Sequence, residues 1–187
     1  PLFFALEILR LCRRVKEGLK EGISLWYLDD GSVVGPGTEL KKVWDAVVQE
    51  GEKIGMQLNE AKCEVWAWEG EGNEWMDMFP KGVKRMGESG FELLGAPVGD
   101  KAFSEKYAKE RVEKVKEMLD RLDVLDDPQV ELALVRSCLG FPRFGFTLRS
   151  APPDDIEGAV REFDEMLKNV AQTRFHVVLD EEREKQW

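Results

Sequence analysis

The stretch WYLDDGSVVG at residues 26–35 places two adjacent carboxylates, Asp29 and Asp30, between an apolar run and Gly31. Adjacent carboxylates repel each other, and a partly buried pair is unfavourable unless a cation or hydrogen bonds compensate for the repulsion. A divalent metal ion does this directly, because it takes hard oxygen ligands. In two-metal sites such carboxylates hold the metal ions, and the metal ions stabilise the attacking and leaving oxygens of a displacement. The simpler interpretation of the stretch taken alone is a solvated Asp-Asp-Gly turn.

A β-hairpin is the element expected to position these carboxylates. Two short apolar segments, residues 23–28 and 32–34, flank the Asp-Gly pair, and this arrangement is a strong local hairpin signal. A turn that requires a positive φ angle would explain Gly31 and would tolerate one aspartate. It does not require two aspartates preceded by a tyrosine and a run of hydrophobic residues.

Helices are predicted where apolar residues recur at helical spacing and a cap, a glycine or a proline marks an end. The helical segments are residues 1–20, 38–54, 104–122, 127–139 and a last segment that starts after residues 152–154. The cap of the fourth segment is the Asp127-Pro128 pair, since proline is well suited to the first turn of a helix. The chain from residue 103 onward is therefore predicted to be almost wholly helical.

The remaining segments predict short strands and one long connection. Residues 63–68 alternate with period two and follow a turn, as expected for a strand. Residues 69–90 are rich in glycine and charge and are predicted to be a long connection or an insertion. Residues 91–99, FELLGAPVG, are predicted to form another short strand that ends in a Gly/Pro turn. The fold class is therefore α+β, with an α+β part at residues 1–99 and a helical part at 100–187.

The charge of the chain limits its partners. The net charge is −10 and the isoelectric point is about 4.8, which argues against autonomous binding of nucleic acid, because a phosphate-binding surface needs clustered Lys and Arg. The basic residues are mostly interleaved with acids, as in EKYAKERVEKVKEM, and this pattern is typical of a solvated helix face. No apolar run is long enough to span a bilayer.

Three cysteines, Cys12, Cys63 and Cys138, are far apart, and His176 is the one histidine of the sequence. This spacing argues against a zinc site, excludes a disulfide framework and favours a reducing compartment. Buried packing is the expectation for each cysteine, and a structural or exposed position is the expectation for the histidine. A small apolar contact, rather than a ligand site, is expected for Met76, Met78 and Phe79.

With its neighbours, the stretch resembles the reverse transcriptases of non-LTR retrotransposons. Tyr27-Leu28-Asp29-Asp30 is similar to the Tyr-X-Asp-Asp signature of their motif C. Upstream, PLFFALEILRLC resembles the end of motif B; downstream, IGMQLNEAKCEV resembles motif D and FELLGAPVG resembles the motif E primer grip. The sequence ALVRSCLGFPRFGFTLRSAPPDDIEGAVREFDEML resembles the thumb-side helices. The resemblance covers nearly the whole chain, and the four motifs occur in the order of the family.

The resemblance implies roles for individual residues. Asp29 would be a metal ligand, Asp30 would support the metal or the primer end, and Tyr27 would pack beside the nucleotide or the template-primer. Lys62 matches the motif D lysine, for which the family suggests a general-acid role at the leaving pyrophosphate; an ordinary exposed lysine is the alternative. Three residues would shape the primer-grip hairpin, with a simple turn as the equal alternative: Gly95, Pro97 and Gly99.

Departures from the family limit these expectations. Relative to the family pattern, the sequence starts inside motif B and lacks the fingers and motif A, and it stops where the family continues into further thumb sequence. Two-metal catalysis needs a further carboxylate to bridge the ions, and Asp29 and Asp30 cannot supply it from one turn. The chain as it stands is therefore not expected to polymerise DNA. A partial palm without a central strand would also expose an edge and an apolar face.

Two functions are compatible with this pattern. The favoured one is a reverse-transcriptase-derived palm and thumb that serves as a structural or interaction subunit in a larger assembly, with a protein partner over the open palm edge. The alternative is a catalytic palm-thumb fragment, with Mg²⁺ or Mn²⁺ at Asp29 and Asp30, nucleic acid as a partner, and the missing half supplied elsewhere. Trp66, Trp68 and Trp75 are candidate interface anchors, although packing on the helical half is the alternative for Trp66 or Trp68.

Overall fold

The computed structural model describes residues 2–68, 73–87 and 89–178, and the chain divides into two compact units after Met86. The first unit contains α1 (Leu2–Gly18), β1 (Ile23–Tyr27), β2 (Asp30–Val34), α2 (Gly37–Lys53), β3 (Glu64–Val65) and β4 (Lys84–Arg85). The second contains β5 (Gly90–Leu93), β6 (Ala96–Gly99), α3 (Lys101–Asp120), α4 (Pro128–Leu134), α5 (Phe141–Ser150) and α6 (Pro153–Phe175).

Helix α1 exists because its apolar residues lie on one face. Ile8, Leu11 and Val15 are spaced by three and four residues, so they point to one side of the helix and are buried together with Val43 of α2. The helix ends at Gly18, within the segment 1–20 that was predicted as helical. The opposite face of α1 carries large apolar residues that remain exposed: Leu2, Phe3, Leu6 and Leu9.

Strands β1 and β2 form an antiparallel hairpin in which Ile23 pairs with Val34 and Tyr27 pairs with Asp30. The two-residue connection is therefore Leu28-Asp29, and the positive φ angle of 56° lies at Leu28 rather than at the glycine. The explanation of Gly31 by a turn conformation was wrong. Gly31 lies in β2 opposite Trp26, and a Cβ atom there would approach Cζ3 of the indole to 2.6 Å.

The first unit contains a second, smaller apolar core. Val65, Ala67, Met76, Phe79 and Val83 are buried together, and the edge of Trp44 packs on the Phe79 ring. β3 and β4 pair in parallel, so the stretch 69–90, which was predicted to be a long connection or an insertion, contains a strand. Residues 69–72 and 88 of that stretch lie outside the described residues. The guanidinium of Arg85 donates hydrogen bonds to four carbonyl oxygens around this core: those of Met76, Phe79, Pro80 and Val83.

The second unit begins with a hairpin, β5–β6, in which Leu93 pairs with Ala96. The prediction of one strand for residues 91–99 was therefore too simple, because the chain reverses at Leu94 and Gly95, both with positive φ. The side chain of Asp100 accepts a hydrogen bond from the Phe103 amide and starts α3. Asp127 likewise accepts hydrogen bonds from the amides of Gln129 and Val130 and starts α4, which confirms the predicted cap.

The helices of the second unit enclose one apolar core. α3 and α6 contribute most of it, and the rings of Phe144 and Phe163 stack with centroids 4.8 Å apart. A π-helical segment, Val135–Leu139, ends the helix predicted for residues 127–139. The separate helix α5 lies between the last two predicted helices, where no individual helix was predicted. Burial of this core stabilises the unit, since each fully buried Val, Leu, Ile or Phe side chain contributes about 1.5–3 kcal/mol.

The described strands form three separate two-stranded sheets beside six α-helices, so the predicted α+β class is confirmed. The hairpin Gly90–Gly99 lies in the second unit, whereas the sequence placed residues 1–99 in the palm and 100–187 in the thumb. That subdomain assignment remains a prediction. Among the described residues, none of the helices is both long enough and apolar enough to cross a bilayer.

Candidate functional site

The β1–β2 hairpin presents three of the predicted site residues together. Tyr27 and Asp30 are paired across the hairpin and both are exposed, and Asp29 occupies the second position of the turn between them. Leu28 precedes Asp29 with a left-handed backbone, a conformation that costs on the order of 1–3 kcal/mol for a residue other than glycine. The structure thus places Tyr27, Asp29 and Asp30 at one exposed tip.

The carboxylates at this tip are available to a ligand. Neither the Asp29 nor the Asp30 side chain forms a hydrogen bond or an ion pair with another of the described residues. Carboxylate oxygens are the donors that Mg²⁺ and Mn²⁺ prefer, so the chemistry of the pair fits a hard divalent cation. The number of donors does not fit a metal site, because within residues 2–68, 73–87 and 89–178 there is no group of three or more His, Cys, Asp or Glu residues able to hold a metal.

Lys62 lies elsewhere in the first unit. It ends a 3-10 turn, Glu60–Lys62, in which its backbone amide donates to the carbonyl of Asn59, and its side chain is exposed. Among the described residues it forms no ion pair with Asp29 or Asp30. Its family role thus stays a prediction.

The three primer-grip residues all lie on the β5–β6 hairpin of the second unit, but in different environments. Gly95 occupies the turn with φ of 85°, and a Cβ atom there would lie 3.3 Å from the Phe146 ring. Pro97 is buried in β6. Gly99 faces Gly90 across the pair, where a Cβ atom would approach the Ser89 carbonyl oxygen to 2.2 Å. Close backbone contact therefore explains Gly99 and a left-handed turn explains Gly95.

The outward face of the β1–β2 hairpin is apolar. Ile23, Leu25, Tyr27 and Val34 project from the same face and are 64–71% exposed, while Trp26 and Val33 on the other face pack on the core of α1 and α2. Successive side chains along β1 point to opposite faces of the hairpin. Both faces are apolar here, and this is typical of a strand that is covered on both sides.

The three tryptophans that were candidate interface anchors lie in different environments. The edge of the Trp75 ring packs on Phe79, so Trp75 belongs to the small core of the first unit. Trp66 and Trp68 contact each other edge to face at 5.3 Å, and Trp68 remains exposed. Met76 and Phe79 are buried in that same core, as expected of an apolar contact, whereas Met78 is exposed.

The cysteines and the histidine are only partly as expected. Cys12 and Cys63 are half-buried, but Cys138 is exposed, so the expectation of buried packing was wrong for Cys138. Burial raises the pKa of the Cys63 thiol, and the charge of Glu60 raises it further. Burial likewise raises the pKa of the Cys12 thiol. His176 is exposed and ends α6 in a left-handed conformation.

Sequence comparison relates this α+β chain, with its exposed carboxylate tip, to mobile elements. The chain is 29% identical over 177 residues to the Retrotransposable element SLACS 132 kDa protein of Trypanosoma brucei gambiense, an alignment that covers 91% of this chain. The chain spans 14% of the length of that relative. This similarity supports a retrotransposon-related origin. No family model and no solved structure matches the chain.

Proposed function

We propose that this chain is a reverse-transcriptase-derived palm and thumb that works inside a larger assembly and does not polymerise DNA by itself. The observation that supports this most is the β1–β2 hairpin, which combines an exposed Tyr-Leu-Asp-Asp tip with an exposed apolar outer face. An apolar strand face of this kind calls for a covering element. The similarity to a retrotransposable element protein supports the ancestry.

The covering element has two tasks in this proposal. It shields Ile23, Leu25 and Val34 from water, and it brings at least one further carboxylate to the tip. Asp29 and Asp30 would then be ligands of Mg²⁺ or Mn²⁺, which when bound stabilises the charge that develops at the reacting phosphate. Tyr27 stands beside Asp30 and would position the nucleotide or primer end.

A catalytic role of that assembly is the second candidate function, and the unpartnered carboxylates at the tip favour it. A purely structural subunit has no need of two solvated aspartates next to a residue in a strained conformation. In the catalytic case nucleotidyl transfer depends on Asp29, whereas in the structural case the assembly forms but does not depend on the carboxylates.

Metal binding is tested on the whole chain by following Mn²⁺-induced broadening of backbone NMR signals. We expect weak binding, with a dissociation constant on the order of 10⁻³ M, because a hairpin tip supplies few ligands. Signals of Leu28, Asp29 and Asp30 should broaden first, and Asp29→Asn with Asp30→Asn should abolish the effect. Asp77→Asn, which removes another exposed carboxylate of the first unit, is the matched control. Equal broadening in all variants contradicts metal binding at the tip.

Assembly is tested by mixing the chain with a polypeptide that carries a motif A strand of this family and measuring association and primer extension. Leu25→Glu should weaken association at least tenfold, because it places a charge on the covered face, whereas Val124→Glu, an exposed apolar residue of the second unit, should not. If association occurs and extension is lost in Asp29→Asn, the assembly is catalytic. Association without extension indicates a structural subunit. No association in any combination refutes an assembly of separate chains.

A further inference from the structure

The short helix α4 and the π-helical segment that follows it carry apolar residues on more than one side. Leu134, Val135 and Leu139 pack on the apolar core of the second unit. On the outer side, Val130 and Leu132 are 44% and 50% exposed. A helix that is apolar on several sides is usually covered by protein on several sides. The outer side of α4 is therefore a candidate for an interaction surface.

An apolar groove with a volume of about 370 Å³ lies between α4 and α6. Every residue that lines it is apolar, including Leu132, Val135, Leu167, Val170, Ala171 and Phe175. The first two belong to α4 and the π-helical segment, and the other four belong to α6. Their spacing of three and four positions places them in two rows, and the gap between two such rows accepts a row of side chains from another helix. The groove thus suits the apolar side chains of a docked helix.

Two opposite charges border the outer side of α4. Gln129, Leu132, Ala133 and Arg136 are exposed and are spaced by three or four residues, so they lie on one face. Arg136 stands at one end of that face, and Asp126 immediately precedes the helix cap at the other end. Among the described residues, neither of these two charged side chains forms an ion pair or a hydrogen bond. The face is thus negative at its start, uncharged in its middle and positive at its end.

The other charged side chains between residues 123 and 136 are engaged within the chain. The Asp127 carboxylate accepts hydrogen bonds from amides of the first turn of α4. Asp123 and Glu131 both pair with Arg174 of α6. The two end charges of the outer face are therefore the ones that remain available to a partner.

We propose that this face binds a second copy of the chain, with the two α4 helices antiparallel about a twofold axis. Such an axis brings the start of one helix against the end of the other, so Asp126 of one protomer meets Arg136 of its partner, and this contact occurs twice. Leu132 of each protomer lies against the groove of its partner, and the small Ala133 lets the helices approach closely. An acidic partner segment would satisfy the arginine but would be repelled by the aspartate, and a basic segment would do the reverse. A second copy satisfies both charges.

The expected dimer is weak. One short helix and one groove in each protomer are smaller than the standard interface of roughly 1,600 Å², and two chains that each carry a net charge of −10 repel each other. At physiological salt this repulsion is screened beyond about 8 Å, whereas the paired end charges are in contact. We expect a reversible dimer with a dissociation constant on the order of 10⁻⁵ M.

Sedimentation equilibrium of the whole chain, over concentrations from about 10⁻⁶ to 10⁻³ M, tests this proposal. Leu132→Glu should weaken the dimer about tenfold or more, because it places a charge in an apolar contact. Ala133→Gln should weaken it severalfold by separating the helices. Both side chains are exposed in the monomer, so neither change should unfold the chain. Leu25→Glu, at an exposed leucine of the first unit, is the matched control and should change dimerisation less than about twofold.

The two end charges are tested by reversing them. Arg136→Asp and Asp126→Lys should each weaken the dimer about tenfold or more, because each change creates two contacts between like charges. An equimolar mixture of the two variants should associate about as tightly as the parent chain, because each contact of the mixed dimer joins opposite charges. Misfolding of either variant would not be repaired by mixing. Arg149→Asp, which reverses an exposed arginine of α5, is the control and should change dimerisation less than about twofold.

Asp126 has a φ angle of 49°, a conformation that aspartate and asparagine adopt more readily than lysine does. Asp126→Asn is therefore a second variant that keeps the backbone and removes the charge. It should weaken the dimer severalfold, because the contact with Arg136 loses its ionic partner.

Three outcomes overturn the proposal. A chain that is monomeric at every concentration has no second copy on this face, and a large loss of thermal stability in Leu132→Glu would then show that something else fills the groove. A dimer that survives Leu132→Glu, or that is lost in Leu25→Glu instead, places the interface elsewhere. Absence of recovery on mixing the two charge-reversed variants excludes the antiparallel arrangement. Leu132→Glu should associate with the motif A polypeptide like the parent chain, so failure here and failure of the proposed assembly are separate results.

Discussion

Arg174 contacts three parts of the second unit, and replacing it tests how much these contacts stabilise that unit. Its guanidinium lies 2.7 Å from the Asp123 carboxylate and 3.3 Å from that of Glu131, and it donates to the Leu119 carbonyl at 3.2 Å. The side chains of Arg174 and Glu131 are only 18% and 10% exposed. Arg174→Ala therefore leaves a mostly buried carboxylate without its partner.

The expected cost follows from those contacts. Breaking a buried ion pair by removing one partner costs about 3–5 kcal/mol. The value here should lie at or below the lower end, because water reaches part of Arg174. Asp123 is largely exposed and adds little, as exposed pairs contribute about 0–1 kcal/mol. The orphaned Leu119 carbonyl adds about 1 kcal/mol where water does not replace the donor. We expect Arg174→Ala to cost about 2–4 kcal/mol.

Urea denaturation followed by far-UV circular dichroism measures this cost, with Arg161→Ala as the control. Arg161 lies on the same helix and pairs with Glu157 at 2.5 Å, but both side chains are largely exposed, so its loss should cost less than about 1 kcal/mol. Replacing the pair together, with Arg174→Met and Glu131→Leu, should recover at least half of the lost stability. Equal costs for Arg174→Ala and Arg161→Ala would refute the argument.

Two further predictions concern the first unit and the cysteines. Gly31→Ala should destabilise the first unit by about 1–3 kcal/mol, because the new methyl group overlaps the packed Trp26 ring, and tryptophan fluorescence during urea denaturation measures the change; an unchanged midpoint would contradict it. With a thiol reagent at mildly alkaline pH, mass spectrometry should find Cys138 modified well before Cys63, since burial and a raised pKa leave the Cys63 thiol less accessible and less ionised. Simultaneous modification would show that the thiol environments are equivalent.

Local patterns in the sequence were sufficient to predict most of the helices. The spacing of Ile8, Leu11 and Val15 identifies both the existence of α1 and its buried face, because a helix repeats its surface every three or four residues. The Asp127-Pro128 cap could also be predicted from the sequence, since capping depends on the next two or three residues alone. The carboxylate tip was placed on a hairpin for the same reason: its flanking strands are adjacent in sequence.

Features that depend on how side chains pack against each other were not predictable. The hairpin turn lies one residue pair earlier than the Asp-Gly signal indicates, because Gly31 is needed opposite the Trp26 ring. A cavity of the second unit that is lined by Arg111, Lys114 and Arg143 is another such case. Its positive charges lie on α3, within a stretch where acids and bases alternate, and on α5, and only the packing of the two helices brings Lys114 and Arg143 together.

The free energy gained by burying the outer face of the β1–β2 hairpin limits what kind of segment can cover it. Full burial of one Leu, Ile, Val or aromatic side chain contributes about 1.5–3 kcal/mol, and the four outward residues of β1 and β2 are already about one third buried. Their complete burial thus yields roughly 4–8 kcal/mol, whereas association of separate chains costs an estimated 4–15 kcal/mol in lost freedom of motion. The hairpin face alone is therefore too small to hold a separate chain firmly. A covering segment must either extend over further exposed apolar surface, such as the outer face of α1, or belong to the same polypeptide, for which most of that entropic cost is absent.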